Sequence, residues 1–490
     1  MKFRILAFVL ALSVAMPMFA HHDVNGIQIT TKSSRAHMLF EQGVEKISLL
    51  HQEAGLELLR KSVKADPNFA LAHIFIAFFS LDPAEQVAER EKAMATRKFA
   101  GPEEQLIIDW QSNASEAHWV PAIQAMNTAL AQYPNDKYLH WMAGWWLVLS
   151  QNQQQHAITL FERVTMLDPK FPDAWNELAY AYAKTGNMDK AFVAIRHYTE
   201  LVPHEANPQD SYAELSRMAG RFDEALKHYR MSLKIDPTFH ESQLGLGDTY
   251  ALMGDEARAR TEYALAIEQG TPVQKVLWSL QSAATYVREG DFRGADLAYR
   301  TVADEAHQQD FANLEAEAYR SMALYQEDAA TAHELLKRAE KALDGDHKVP
   351  QQLLGEERAQ VWRTGVDRAV RDGDQKRAQA LLQKLSDLAA ANTDDLIEVA
   401  YAGAAGAVYL AEGKYKEAAS DFEGDPGNAV SMRGLVEAYE KSGQQDSAAK
   451  AASDLASLNV PLIEQAVVVP EFRKHRSADS SVTMRSSSRL

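Results

Sequence analysis

Three clusters in this 490-residue chain have residue types that chemistry uses, and each lacks the surroundings that chemistry needs. Gly245-Leu246-Gly247 opens like a dinucleotide-binding loop, but no strand-like run precedes it, so nothing would aim a pyrophosphate at a helix start. His333-Glu334 begins a metalloprotease-like pair, then reaches Lys337 where a second histidine would have to complete the zinc site. His21-His22-Asp23 would offer a terminal amine and an imidazole to a copper-like ion if a leader were cut after Ala20. His37, His73 and His118 stand singly on helical stretches, where histidine is ordinarily a partly buried polar residue. No Gly-x-Ser-x-Gly elbow and no Gly-Lys-Ser/Thr phosphate loop occurs. The chain has no cysteine, which removes thiol catalysis, disulfides and a lipid-bearing cysteine anchor together. The expectation is a protein that is not an enzyme and has no cofactor or metal.

Lys2 and Arg4 followed by the apolar run from Ile5 to Ala15 read as an export leader, broken at Pro17. Cleavage after Ala15 competes with cleavage after Ala20, and residues 1–20 are taken as a signal peptide with 21–33 a flexible N-terminus. The run is short for a membrane span and no later stretch approaches 18 apolar residues, so an exported, periplasmic or secreted protein with no membrane span is expected. The formal charge is −17, and losing Lys2 and Arg4 would take it to −19. Such a surface repels phosphate backbones, which argues against nucleic acid and for a basic or neutral partner.

What would position any functional surface is a repeat. Ala157, Ala191, Ala225 and Ala259 are spaced by 34 residues, as are Pro169, Pro203 and Pro237, and Gly186, Gly220 and Gly254. A fixed period of this length implies one supersecondary unit stacked along an axis. In the units 138–171, 172–205, 206–239 and 240–273, apolar residues recur three and four apart, as on amphipathic helices. Small residues at positions 8 and 20 let paired helices approach, the glycine at 15 takes a left-handed turn, and the proline at 32 stops the second helix.

The pattern Trp175, Leu178, Ala179, Tyr182, Gly186, Ala191, Ile195, Tyr198, Pro203 resembles the tetratricopeptide repeat, as do Trp141, Gly144, Ala157, Phe161 and Pro169 in the preceding unit. Fainter copies extend it to about ten or eleven units over residues 34–458. The resemblance implies an all-α, right-handed superhelical solenoid of antiparallel helix pairs. Degenerate units are expected over 34–137 and 274–466, a regular array over 138–273, and a disordered tail rich in serine and arginine over 467–490.

In that family the first helix of each pair lines a concave groove. Carried onto this chain, the groove holds Leu139, Met142 and Trp146 as an apolar floor. Asp173, Asp210, Glu214, Glu241 and Asp248 form an acidic stripe beside it, with Asn176, Tyr180 and Arg217 among them. The resemblance therefore implies a protein-binding scaffold that takes a peptide or protein segment, basic or neutral, in the groove. A solvated face without a ligand, an envelope-assembly subunit using the convex face, and an unrecognised enzyme within 276–470 are the alternatives. The lysine and asparagine clamp that one subgroup uses for C-terminal carboxylates is reduced here to Asn176 and Lys184. The tail's positive charge opposes that of the body, so the tail is a candidate to fold back onto the acidic stripe.

Overall fold

The computed structural model describes residues 27–149, 152–392 and 394–474; the leader, His21 to Asp23 and the last sixteen residues lie outside the described residues. Twelve helix pairs follow one another, with no strand among the described residues. The first three are α1 (Ser34–Ser48) with α2 (Gln52–Ala65), α3 (Ala70–Phe79) with α4 (Pro83–Thr96), and α5 (Pro102–Ser115) with α6 (Trp119–Gln132). The regular units are α7 (Lys137–Leu149) with α8 (Gln154–Leu167), α9 (Pro172–Lys184) with α10 (Met188–Leu201), α11 (Asn207–Met218) with α12 (Phe222–Ile235), and α13 (His240–Met253) with α14 (Glu256–Gln269). Next come α15 (Pro272–Glu289) with α16 (Phe292–Gln308), α17 (Ala312–Tyr325) with α18 (Ala329–Ala342), and α19 (Gln351–Arg371) with α20 (Gln375–Ala391), of which the first and third pairs are longer. The last pairs are α21 (Asp395–Ala411) with α22 (Tyr415–Glu423), and α23 (Ala429–Lys441) with α24 (Gln445–Ala456). A final helix covers 463–474, inside the stretch expected to lack structure from 467.

The period has a visible cause. Gly186, Gly220 and Gly254 sit at the pair turns with φ of +80°, +73° and +83°, where a Cβ would strain the backbone. Between the helices, a buried aromatic at position 24 fills the space that a glycine leaves. Phe161 lies against Gly144 and Tyr263 against Gly247, each within one hairpin, while Tyr229 lies against Gly245 of the next. Phe422 touches both Gly406 and Gly434 in the same way. The small residue of the first regular unit is thus Gly144, while Trp145 is half-buried at position 8.

First helices also pack on the first helices of the next pairs, as α7 on α9, α9 on α11 and α11 on α13, so the odd helices form the inner layer. The array comes back on itself. The α1–α2 turn reaches the central units, with His51 Nε2 2.9 Å from a Glu205 carboxylate oxygen and its ring edge-on to Phe239. Helix α5 meets α19, and Gln153 Nε2 donates to Asp395 at 2.8 Å. The N-terminal stretch is held from Gln28 onward: its backbone N–H groups at Gln28 and Thr30 donate to Glu103 and Glu104 of α5, and Thr31 Oγ1 donates to Asp66.

Replacing Gly245 by alanine puts a methyl into the Tyr229 ring. Despite alanine's better helix propensity, Gly245→Ala is expected to lower stability by about 1–3 kcal/mol through overpacking, read as a fall in urea midpoint. A second expectation concerns α5. Burial, together with the Asp136 carboxylate beside it, pushes the Glu103 carboxyl up to about 8, and burial pushes Asp136 up to about 6. A raised folded value means the native state keeps a proton that the unfolded chain, near 4.3, releases. The contribution is whole below that unfolded value and is lost as pH rises through about 8, so this pair makes stability fall between about pH 4 and 8. Glu103→Gln keeps a donor toward Asp136 without titrating, and should flatten that part of a urea-midpoint series against pH.

Candidate functional site

The inner layer carries all eleven residues expected in the groove, and it uses most of them to hold itself together. Leu139, Met142 and Trp146 are buried. Trp146 lies edge-on to Trp110, ring centroids 5.6 Å apart, and stacks on Trp119 at 5.9 Å, so the apolar floor is largely a tryptophan core between units.

The acidic stripe is likewise a set of ties between helices. Asp173 is 0% exposed and accepts the indole N–H of Trp141 at 2.5 Å and that of Trp145 at 3.1 Å, joining α9 to α7. Asn176, also wholly buried, donates to the neighbouring Glu177 at 3.1 Å. Tyr180 donates its hydroxyl to Glu214 at 2.9 Å, and Arg217 donates to the other oxygen of Glu214 at 2.9 Å. Asp210 of α11 accepts from Ser242 of α13 at 2.6 Å, and Asp248 accepts from Tyr263 at 2.7 Å. Of the eleven, Glu241 is the exposed one, while Tyr180 and Glu214 are half-buried.

Burial changes the charge of this face. It pushes Asp173 up to about 6 and raises Asp210 and Asp248, although Ser242 opposes the shift at Asp210 and Arg217 opposes it at Asp248. The stripe expected to present open carboxylates to a basic guest instead presents hydrogen-bonded ones in a narrow inner layer. The cause is geometric: Asp173, Asp210 and Asp248 meet side chains of a neighbouring helix, on α7, α13 and α14, before they meet water.

Two adjacent openings lie beside the expected groove. One cavity of about 440 Å³ lies between the inner sides of α3, α5 and α7 and the start of α19, with Phe78, Trp145, Trp146, Leu149 and Leu353 on its walls. A second of about 470 Å³ lies between the α1–α2 turn and the entrances of α13 and α15, with Glu53, Asp82, Asp236 and Glu241 on its walls alongside Arg60. Leu50, Gln52, Ser80 and Leu81 line both, so the two are adjacent. Trp146 and Glu241, the two ends of the expected groove, are the expected residues that reach these openings.

The inner layer also carries arginines that the groove assignment passed over: Arg288 of α15, Arg320 of α17 and Arg363 of α19. Arg320 and Arg363 are buried beside carboxylates. Arg320 has a sequence signal, a lone long cation within the alanine-rich run Ala316 to Ala323. The segment before the basic tail meets the inner layer through Asn459, Glu464 and Gln465, which lie on Arg217, Arg320 and Arg288, while the tail from 475 onward lies outside the described residues. No group of three or more metal-ligating side chains that could hold an ion occurs among the described residues, and none of their helices is long and apolar enough to cross a membrane.

Asp173→Ala would strand two indole N–H groups, one of them fully buried, and is expected to cost about 1–3 kcal/mol. Asp173→Asn, which retains an acceptor, should cost less. Tryptophan fluorescence during urea unfolding distinguishes them.

The family model described as tetratricopeptide repeat matches residues 172–204, which is the hairpin α9–α10. Superkiller complex protein 3 of Mus musculus is 26% identical over 109 residues, 22% of this chain and 7% of its own length. Anaphase-promoting complex subunit CDC16 of Saccharomyces cerevisiae is 35% identical over 80 residues, 16% of this chain and 10% of its own length. This chain therefore matches a tenth or less of each of these curated relatives. Among solved structures, a tetratricopeptide repeat protein from Parabacteroides merdae is 14% identical with a TM-score of 0.37, over 62% of this chain and 98% of that one. The APC/C hetero-tetramer Cut9-Hcn1 is 15% identical with a TM-score of 0.42, over 85% of this chain and 76% of that one. The tetratricopeptide likeness is thus carried by α9–α10, and α11–α12 and α13–α14 repeat its helix order and its turn glycine in the same register.

Proposed function

We propose that the chain is an exported, non-catalytic interaction scaffold that takes up a segment of a partner protein on its inner face. The observation that carries this reading is the pair of adjacent cavities, about 440 and 470 Å³, running from Trp146 to Glu241. Each has the volume of an ordinary ligand pocket, enough to seat a few side chains. Their walls differ in character. The first offers Phe78, Trp145, Leu149 and Leu353 to an apolar anchor, the kind of buried contact that dominates binding energy. The second sets four carboxylates against Arg60, His51 and His240, which favours a neutral or basic continuation of the same segment.

Other features agree with this reading. The leader-like start and the absence of cysteine suit export to an oxidising compartment. A solenoid of helix pairs offers an extended surface rather than a closed catalytic pocket. The partners of the relatives named above belong to those proteins. For this chain, protein binding is the shared chemistry and the partner's identity is open to capture.

The test is affinity capture from an envelope extract with the mature protein, comparing wild type with Leu149→Arg combined with Leu353→Arg. Leu149 is exposed and Leu353 half-buried, so helix content should be unchanged by circular dichroism. Recovery of a specific partner should fall about thirtyfold, the weight of one lost anchor (~2 kcal/mol). Equal recovery would remove this cavity from the binding surface.

A further inference from the structure

A third cavity, about 310 Å³, lies farther along the inner face, and one of its walls is the chain's own C-terminal segment, Pro461 to Glu464. After α24 the chain leaves the outer layer, runs inward without regular structure, and enters the helix over 463–474. A row of arginines receives it. Arg217 Nη1 donates to the Asn459 carbonyl at 3.2 Å, Arg288 donates to the Gln465 side-chain oxygen, and Arg320 Nη1 lies 3.1 Å from Glu464 Oε1. Ile463 and Ala466 are buried in the same apolar cluster as residues of α15 and α17.

Two properties set this segment apart from a thirteenth layer of core. Its polar contacts are mostly one-directional, with donors on the array and acceptors on the segment; Asn459 Nδ2 to the Met218 carbonyl is the reverse case. Its fit is also loose. A cleft of about 310 Å³ stays open between Pro461 to Glu464 and the walls at Leu280 and Arg363. Gln281 Oε1 on that wall has no partner among the described residues, and neither has Arg288 Nη2. The trough therefore offers more volume and more hydrogen-bonding capacity than its occupant uses.

We propose that the trough from α11 to α19 is a second binding site of the scaffold. It takes a partner segment that runs extended and then helical, with apolar, carboxylate and carboxamide side chains in succession. Residues 458–466 fill it as a tethered stand-in that such a partner displaces. The inference rests on the scaffold reading above and adds the chemistry of a second guest, opposite in sign to the one that the acidic stripe suggested. Arg217 and Arg320 keep carboxylate partners on the array, Glu214 and Glu357, so the preference for an acceptor-bearing guest comes from the further N–H groups that they and Arg288 turn toward the segment. An acceptor-bearing segment would also supply Arg288 Nη2 with its missing partner. Because the stand-in is tethered, its effective concentration is on the order of millimolar, and a free guest binds weakly until the stand-in lets go.

The probe is a fluorescent synthetic peptide of residues 457–474, titrated into the full-length mature protein and into its Ile463→Asp with Glu464→Arg variant. The cis segment of the variant no longer matches the arginine row, so the peptide should bind the variant at least about tenfold more tightly than wild type. A peptide carrying Glu464→Arg should bind neither protein. Equal affinities, or no binding to the variant, would overturn the proposal. So would a variant that sediments as a dimer at micromolar concentration, which would give the trough to a second copy of the chain. If the variant does not fold, amide exchange on the wild type decides: residues 457–474 must exchange faster than α11 to α19, and equal protection makes the segment fixed core. Failure here leaves the Leu149 and Leu353 capture experiment standing, because neither residue lines this trough.

Discussion

An aromatic ring seated where a glycine has no side chain is the contact on which this array depends. Phe161 on Gly144, Tyr229 on Gly245 and Tyr263 on Gly247 draw the two layers of helices close enough that ordinary side chains cannot come between them. Each hairpin by itself leaves an apolar face exposed, and stacking is the way to cover it. The ring-on-glycine contact spans both the hairpin and the step to the next one. It therefore sets the distance within a unit and the offset between units together.

That closeness determines the electrostatics of the inner face. Where odd helices touch, carboxylates lose water and keep their place only by accepting hydrogen bonds, as Asp173 does from two indoles and Asp210 from Ser242. Arginine enters the same layer with carboxylates at hand, Arg320 beside Glu357 and Arg363 beside Asp425. Buried pairs of this kind add little net stability against an apolar replacement, but breaking one leaves an uncompensated charge. The inner layer is thus tied by hydrogen-bonded acids in the regular units and by arginine–carboxylate pairs beyond them.

The hairpins of the central units and their turn glycines were legible because they are local: the 34-residue spacing and the positive-φ glycines Gly186, Gly220 and Gly254 are written within each of those units, whereas earlier pairs turn on Leu50, Ala117 and Asn152. Of the candidate groove, Trp146 and Glu241 alone reach the adjacent openings, while Asp173, Asn176 and Asp210 face neighbours whose approach depends on the winding of the whole array. Repeat position tells which side of a helix a residue occupies, and that is a property of one unit. Whether that side is wet depends on contacts such as α5 with α19 and Arg217 with Asn459, which join residues hundreds of positions apart. The same limit hid Arg288 and Arg320, whose role exists only once the C-terminal segment has turned inward.

The return of the chain onto itself bears on how it folds. A plain solenoid is quasi-one-dimensional: its terminal hairpins fray and rejoin independently, and its unfolding is a progressive unzipping. Here His51 reaching Glu205 closes a loop of 154 residues, and Gln153 reaching Asp395 and Asn459 reaching Arg217 each close one of 242. Such loops exact their entropy before any reward arrives, which slows assembly, yet once made they couple early hairpins to late ones. Because the strap at 458–466 follows every hairpin it touches in the chain, those hairpins leave the ribosome while the inner face still stands open.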